Sequence, residues 1–149
     1  MKYTIYTDGA CINNPGPGGW AALIRTEEGE KVIQGGAPET TNNRMEMMAV
    51  IEALKGLDAN AEVQLFSDSK YVVNGITQWL PNWKKNRWQT SSGSSVKNHD
   101  LWRQLDSQNS RLQVRWNWVK AHSGHPENEL VDQKAQEYAQ RLKVSRSND

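Results

Sequence analysis

Four acidic residues in this 149-residue chain lie beside segments that predict the boundaries of strands or helices. They are Asp8, Glu46, Asp68 and Asp132. Asp8 and Asp68 end predicted strands, and functional sites of open α/β sheets gather outside the carboxyl ends of strands. Glu46 and Asp132 fall early in predicted helices, so each helix can bring one more carboxylate to that edge. Clustered carboxylates repel one another unless a cation lies between them, and all-oxygen ligation suits Mg²⁺ or Mn²⁺ rather than zinc.

Each of these acids also has a purely structural interpretation. Asp8 precedes a glycine, as many turn residues do, and Asp68 stands where it could cap a following helix. Glu46 follows Asn43 by three residues, which is the spacing of a capping box. Asp132 could be an ordinary exposed helix residue. Only convergence in space distinguishes a metal site from four separate structural roles.

Carboxylates around two divalent ions are suited to the hydrolysis of phosphodiesters. Two such ions about 4 Å apart clamp the attacking and departing oxygens of an in-line displacement. This chemistry needs no nucleophilic side chain, and Cys11, which is predicted to lie in a loop, has no base beside it in the sequence. His122 and His125 are three residues apart, but no cysteine pair or third histidine nearby completes a zinc site.

The loop predicted over residues 120–126 carries His122 two residues before Gly124. A histidine on a glycine-bearing loop is mobile and titrates near neutral pH, so His122 could relay protons during a reaction. The alternative is an ordinary surface histidine.

The aromatic–basic segment, residues 79–88, combines three tryptophans with three cations. From residue 69 to residue 99 the chain has five basic residues and no acidic residue, although the net charge of the whole chain is only +1. Indole rings pack on sugars and bases, and cations meet phosphates, so this composition favours a nucleic-acid surface. The alternative is a core helix with a solvated basic face, because Trp79 and Trp83 are four residues apart.

Composition bounds the class of protein before any motif is considered. The chain is 36% hydrophobic and 23% charged, which predicts a folded domain rather than a disordered segment. No apolar run approaches the ~20 residues of a membrane helix, and no apolar block near the N-terminus suggests a signal peptide. The single cysteine cannot form an internal disulfide, so we expect a reducing, cytoplasmic location, and a monomer is the default expectation.

Periodicity predicts a mixed α/β domain with helices packed on one central sheet. Strands are predicted over residues 3–7, 20–26, 31–34, 62–67 and 111–119, and the first three form an antiparallel meander. Helices are predicted over residues 41–57, from about residue 70, and over residues 127–142. We expect a single domain over residues 1–144, with a polar loop at residues 90–95 and a flexible tail at residues 145–149.

A set of short stretches carries a resemblance to a known family. They are Thr7-Asp8-Gly9, Asn14-Pro15-Gly16-Pro17-Gly18-Gly19, Thr40-Thr41-Asn42-Asn43-Arg44-Met45-Glu46, Asp68-Ser69, Gly75-Ile76-Thr77-Gln78-Trp79, Asn82-Trp83-Lys84-Lys85, Val96-Lys97-Asn98, Asp100-Leu101-Trp102, Trp116-Asn117-Trp118-Val119-Lys120 and His125-Pro126-Glu127-Asn128-Glu129. With this ordered set, the chain resembles the bacterial type 1 ribonuclease H family over about residues 3–142.

The resemblance implies a ribonuclease H-like fold, in which a five-stranded mixed sheet is flanked by helices. It also implies an endonuclease that cuts the RNA strand of RNA–DNA hybrids with two Mg²⁺ ions (or Mn²⁺), leaving 3′-hydroxyl and 5′-phosphate ends. The positions that match the family's metal-binding acids are Asp8, Glu46, Asp68 and Asp132. His122 matches its mobile catalytic histidine, and Glu129 falls near an auxiliary acid.

The resemblance further implies a set of substrate contacts. Asn14, Asn42 and Asn43 match positions facing the minor groove of the hybrid, where 2′-hydroxyls identify RNA. Thr41 and Asn82 match a pocket for a DNA-strand phosphate. The other implied contacts are Lys70, Trp79, Trp83, Lys84, Lys85, Arg87 and Trp88.

The chain also departs from the family pattern. Glu39 stands where several relatives carry an arginine beside the phosphate pocket, and Lys70 stands where a glutamine is frequent. Ala121 precedes His122 where glycine is frequent. Two other functions stay open at this point: a strand transferase of the transposase or integrase kind, and a non-catalytic module that binds hybrids, since a fold alone does not fix a function.

Overall fold

The computed structural model describes residues 2–89, 93, 96–121 and 124–147. The chain begins with three strands, β1 (Lys2–Cys11), β2 (Gly16–Thr26) and β3 (Gly29–Thr40), followed by α1 (Asn42–Lys55) and β4 (Glu62–Ser67). A continuous helical run follows, made of α2 (Lys70–Asn74), a π-helical stretch (Gly75–Trp79) and α3 (Leu80–Lys85). The last elements are α4 (His99–Arg111), β5 (Gln113–Trp118) and α5 (Pro126–Ser147).

The five strands form one mixed sheet in the order β3-β2-β1-β4-β5. The β1–β2 and β2–β3 pairs are antiparallel, whereas β4 is parallel to β1 and β5 is parallel to β4. This confirms the predicted mixed sheet with an antiparallel first half. Because β1, β4 and β5 run in the same direction, their carboxyl ends lie at one edge of the sheet.

Helices cover both faces of the sheet. On one face, Ile5 and Leu65 belong to a core cluster with Ile51 of α1 and Trp102 of α4. On the other face, Ala21 and Leu23 pack with Val131 and Ala135 of α5. Residues 16–24 of β2 are therefore buried without the alternation expected of a strand that has one face in water.

Several element boundaries differ from the predicted ones. The strand over residues 62–67 is confirmed exactly, but β1 extends to Cys11, β2 begins at Gly16 and β3 extends to Thr40. Residues 16–19 are glycine and proline, which are typical of turns, yet pairing with β1 and β3 makes them strand. Helix α4 was not predicted at all.

The capping box predicted for Asn43 and Glu46 is wrong. Thr41 is the N-cap of α1, and its hydroxyl accepts a hydrogen bond from the Arg44 N–H. At the other end of the chain, α5 continues to Ser147, so its backbone is helical for three residues of the segment expected to be a tail. Within the part of the chain that is described, no helix combines the length and apolarity needed to cross a bilayer.

Candidate active site

Strand register places two of the four acids side by side. Thr7 of β1 pairs with Ser67 of β4, so Asp8 and Asp68 follow at the same level on neighbouring parallel strands. Asp8 does not end its strand as predicted, because β1 continues to Cys11. Asp68 directly follows β4. The sheet edge therefore brings together two carboxylates that are 60 positions apart in sequence.

The third acid reaches this edge because β1 and α1 pack unusually closely. A Cβ atom on Gly9 would lie 2.4 Å from the Glu46 backbone nitrogen and 2.5 Å from the Met45 carbonyl carbon. Only a residue without a side chain permits this approach. Glu46 is the fifth residue of α1, and its carboxyl group also interacts with the backbone N–H of Gly9.

Asp8, Glu46 and Asp68 form a three-carboxylate centre. One oxygen from each lies within 4.8 Å of the others. Asp8 is 2% exposed and Glu46 is 5% exposed, whereas Asp68 is half-buried. Oδ1 of Asp8 accepts a hydrogen bond from the Gly9 N–H at 2.8 Å. Oδ2 of Asp8 and Oε2 of Glu46 are buried with no hydrogen-bond donor among the described residues, so the centre has oxygen atoms that a divalent cation fits.

The electrostatics of the three carboxylates also favour a bound divalent cation. Burial, reinforced by the charge of Asp68 and by contact with Asp132, raises the pKa of Asp8 to about 8, although the interaction with the Glu46 carboxyl group acts in the opposite direction. Burial and the neighbouring Asp8 carboxyl raise the pKa of Glu46 well above its usual range. A bound cation would remove the cost of ionising these groups.

The fourth acid, Asp132, lies beside this centre. Its carboxyl group interacts with that of Asp8, but it does not belong to the group of three that lie within 4.8 Å. Asp132 is half-buried in α5, so it is not the freely exposed helix residue of the alternative interpretation. Both of its oxygens accept from the Gln136 side-chain amide, at 3.2 and 3.0 Å.

The capping roles considered for Asp68 and Glu46 are taken by other residues. Ser69 is the N-cap of α2, and its hydroxyl accepts from the Val72 N–H at 3.2 Å. The Trp118 indole N–H donates to the Asp68 backbone carbonyl at 3.0 Å, which ties β5 to this residue. Asp68 is thus fixed by its backbone while its carboxyl group faces the other acids.

The loop that carries the predicted catalytic histidine starts at the same sheet edge. The Val119 N–H donates to the Ser67 carbonyl at 2.9 Å, one residue before Asp68. His122 itself lies outside the described residues, as do five residues of the predicted polar loop, 90–92, 94 and 95. Glu129 is exposed in the first turn of α5, where its N–H donates to the His125 carbonyl.

The asparagines predicted to face a substrate lie together at the start of α1. The Asn14 Oδ1 atom accepts from the Asn42 N–H at 3.0 Å, which connects the β1–β2 turn to the helix. Asn14 and Asn43 are exposed. The Thr41 hydroxyl, by contrast, serves the helix cap.

The aromatic–basic segment combines both interpretations given for it. Trp83 contacts Trp102 of the core with ring centroids 5.4 Å apart, and Trp88 packs on His99 at 5.1 Å. Trp79 is 37% exposed. The exposed polar side chains of the segment include Asn82, Lys84, Lys85 and Arg87. Lys84 forms an ion pair with Asp106 at 3.2 Å.

Two further contacts at the acidic centre were missed. Trp118 is 43% exposed, and the Lys70 ammonium group lies 4.7 Å from its ring centroid. The Lys70–Trp118 contact follows from the β4–β5 register, which a single sequence does not reveal. The Gln136–Asp132 contact has the i, i+4 spacing of helical neighbours, and this spacing alone could have indicated it.

The sheet order and the three-carboxylate centre define a ribonuclease H-like nuclease. The family model for RNase H matches residues 1–140. Ribonuclease HI of Pseudomonas aeruginosa is 56% identical over 134 residues, which cover 90% of each chain. Ribonuclease H of Alcanivorax borkumensis is 58% identical over 128 residues, covering 86% of this chain and 85% of that relative. The chain belongs to the RNase H family and is a nuclease, a hydrolase of phosphodiester bonds.

Solved structures agree with this assignment. LC9-RNase H1, a type 1 RNase H with the type 2 active-site motif, superposes with a TM-score of 0.84 at 30% identity, covering 95% of this chain and 73% of that chain. LC11-RNase H1, solved in complex with an RNA/DNA hybrid, superposes with a TM-score of 0.65 at 20% identity, covering 93% of this chain and 97% of that chain. The second likeness supports the fold alone.

Proposed function

We propose that this protein is an endoribonuclease that hydrolyses the RNA strand of RNA–DNA hybrids, leaving 5′-phosphate and 3′-hydroxyl ends. The observation that carries the proposal is the three-carboxylate centre of Asp8, Glu46 and Asp68. In this centre, Oδ2 of Asp8 and Oε2 of Glu46 are buried with no hydrogen-bond partner among the described residues. Membership of the RNase H family, with relatives named ribonuclease HI and ribonuclease H at 56% and 58% identity, supports the RNA strand of a hybrid as the substrate.

The proposed cofactor is Mg²⁺, or Mn²⁺, with two ions when substrate is bound. Asp8, Glu46 and Asp68 would hold the metal, and Asp132 would complete the ligand set from α5. Ions held there would supply an activated water and would stabilise the departing oxygen. The protein residues fix the carboxylates in place and keep the centre partly closed to solvent. His122 is proposed to relay a proton, and Glu129 to assist as an auxiliary acid.

The proposed hybrid-binding surface extends from both sides of the acidic centre. Asn14, Asn42 and Asn43 would meet the minor groove, where amides hydrogen-bond to 2′-hydroxyls and bases and so distinguish RNA from DNA. Thr41 and Asn82 would hold a phosphate of the DNA strand. Contacts to phosphates carry no base information, so sequence preference should be slight.

The cations and indoles near the centre complete this surface. Lys70 is held over Trp118 beside Asp68, where its charge can meet a phosphate of the RNA strand close to the reacting bond. The aromatic–basic segment would grip the DNA strand, and its members in this role are Trp79, Trp83, Lys84, Lys85, Arg87 and Trp88.

We propose further that the protein acts as a monomer in the cytoplasm. One chain supplies all four acids, so the reaction does not require a second copy. A single cysteine is compatible with a reducing compartment. Light scattering coupled to size-exclusion chromatography tests the proposed monomer, because it measures the molar mass of the eluting species. A dimer would give twice the 16.9 kDa of one chain.

Cleavage of defined substrates tests the proposed function. An end-labelled RNA–DNA hybrid, duplex DNA and duplex RNA are each incubated with Mg²⁺ or with EDTA. We expect cleavage of the hybrid RNA only, in Mg²⁺ only, with 5′-phosphate products. Cleavage of duplex DNA, the joining of strands, or no cleavage would reject the proposal.

In the same assay His122→Ala should slow cleavage without abolishing it, and an unchanged rate would remove His122 from the mechanism.

A further inference from the structure

Gln136 makes the contact that orients Asp132. The two residues are one helical turn apart in α5, and the single side-chain amide nitrogen of Gln136 donates to Oδ1 of Asp132 at 3.2 Å and to Oδ2 at 3.0 Å. A donor shared between both oxygens fixes the plane of the carboxylate as well as its position. Gln136 is exposed, so its replacement should leave the core undisturbed.

The orientation of Asp132 matters because this carboxylate lies at the margin of the acidic centre. It interacts with Asp8 but stands outside the 4.8 Å group formed with Glu46 and Asp68.

The chemistry of the amide suits a metal-binding acid. A lysine or arginine at this position would pair with Asp132 and offset its negative charge. A neutral amide restrains the carboxylate and leaves its charge available to a cation. Residues that hold metal ligands in this way commonly change metal affinity by 10-fold or more when they are removed.

Gln136 also lines a groove that contains one of the predicted substrate contacts. Asp132 and Gln136 line a groove of about 320 Å³ together with Gly9, Cys11 and Asn42. The groove thus connects Asp132 and Gln136 to one of the asparagines proposed to meet the hybrid.

We propose that Gln136 is a positioning residue that holds the Asp132 carboxylate toward Asp8 and thereby sets the affinity of the acidic centre for divalent ions. The inference rests on the proposed function, since it assumes that Asp132 serves as a metal ligand. The residue does not touch the reacting atoms and acts only through Asp132.

Calorimetric titration with Mn²⁺ in the absence of substrate tests this role. Gln136→Met keeps the length of the side chain and removes the donor, so we expect Mn²⁺ to bind about 10-fold more weakly. The Mg²⁺ concentration for half-maximal hybrid cleavage should rise by a similar factor, while the KM for the hybrid at saturating Mg²⁺ stays unchanged.

Gln133→Met is the matched control. The Gln133 amide donates to the Glu137 carboxylate at 3.2 Å. This is also an i, i+4 hydrogen bond to an acid on α5, but the pair lies outside the acidic centre. We expect it to retain wild-type Mn²⁺ affinity. Equal affinities of the wild type and Gln136→Met, or equal losses in both variants, would overturn the inference. A wild-type protein that neither binds Mn²⁺ nor cuts the hybrid would instead reject the proposed function.

Discussion

Asp8→Asn is expected to reduce hybrid cleavage by at least ~10³-fold while it raises the thermal stability of the metal-free protein. Loss of a central metal ligand removes several kcal/mol of transition-state stabilisation, which corresponds to a rate effect of that size. The amide keeps the acceptor that bonds to the Gly9 N–H and removes a buried charge that desolvation and the neighbouring Asp68 carboxylate disfavour. Hybrid binding should persist, because Asp8 is not a predicted phosphate contact.

The stability gain should depend on pH in a defined direction. Asp8 has a pKa of about 8 in the folded protein against an ordinary value of 3.8, so the folded state binds more protons than the unfolded state between these values. Wild-type stability in EDTA should therefore fall as pH rises from about 4 to about 8. Asp8→Asn lacks this contribution, so its advantage should be small at low pH and largest above pH 8.

Thermal melts in EDTA at several pH values measure this difference. A gain of about 1 kcal/mol would raise Tm by about 3 °C in a chain of this size. Added Mg²⁺ should stabilise the wild type more than the variant, because binding to the folded state shifts unfolding. Asp58→Asn makes the same chemical change at an exposed loop residue and should alter neither Tm nor cleavage. Joint loss of hybrid binding and stability in Asp8→Asn would show that Asp8 is structural instead.

Gly9→Ala is expected both to destabilise the fold and to weaken metal binding at the acidic centre. The new Cβ would lie 2.4 Å from the Glu46 nitrogen and 2.5 Å from the Met45 carbonyl carbon, and neither backbone atom can turn aside. Helix α1 must move away from β1, at a cost of about 3 kcal/mol. The resulting fall in Tm is about 10 °C. The same movement separates Glu46 from Asp8, so Mn²⁺ affinity and cleavage should fall as well.

Gly56→Ala provides the control at the other end of α1. Among the described residues, no atom beyond Gly56 and its chain neighbours lies within 4 Å of the Cβ position at Gly56. The φ of Gly56, −90°, is accessible to alanine. This variant should retain the Tm and the cleavage rate of the wild type. A Gly9→Ala protein with wild-type Tm would show that the close packing of β1 on α1 is not required.

Sequence reasoning identified the acids because strand ends and helix starts are local features. The strand over residues 62–67 alternates buried and exposed positions and is followed by Asp68 and Ser69, so its bounds and its acid could both be predicted. The convergence of Asp8 with Asp68 depends on the parallel pairing of Thr7 with Ser67, a long-range register that a single sequence does not contain. The resemblance to ribonuclease H supplied that missing information.

Errors arose where tertiary pairing overrides local preference. Gly16, Gly18 and Gly19 are typical turn residues, yet they pair with neighbouring strands. Because Gly18 and Gly19 have no side chain, they also let the helices that cover β2 approach it closely. Asn43 has the spacing of a capping residue, but Thr41 makes the cap and frees Glu46 to face Asp8.

Helix α4 was missed although its sequence carries a signal. Leu101, Trp102 and Leu105 are buried at helical spacing, and Asp100 lies in its first turn. Asn98 precedes the helix with a φ of 60°, and its side chain makes no capping bond to the helix backbone. Asparagine is nevertheless a residue type typical of N-caps, so both Asn98 and the apolar period could have indicated the helix.

Crystals grown with Mn²⁺ test most directly the claim that these acids form a divalent-ion site. Anomalous scattering locates manganese independently of any assumption about its ligands. We predict an anomalous peak whose ligands include carboxylate oxygens of Asp8, Glu46 and Asp68. Manganese bound elsewhere, or no anomalous peak at this centre at saturating Mn²⁺, would contradict the account.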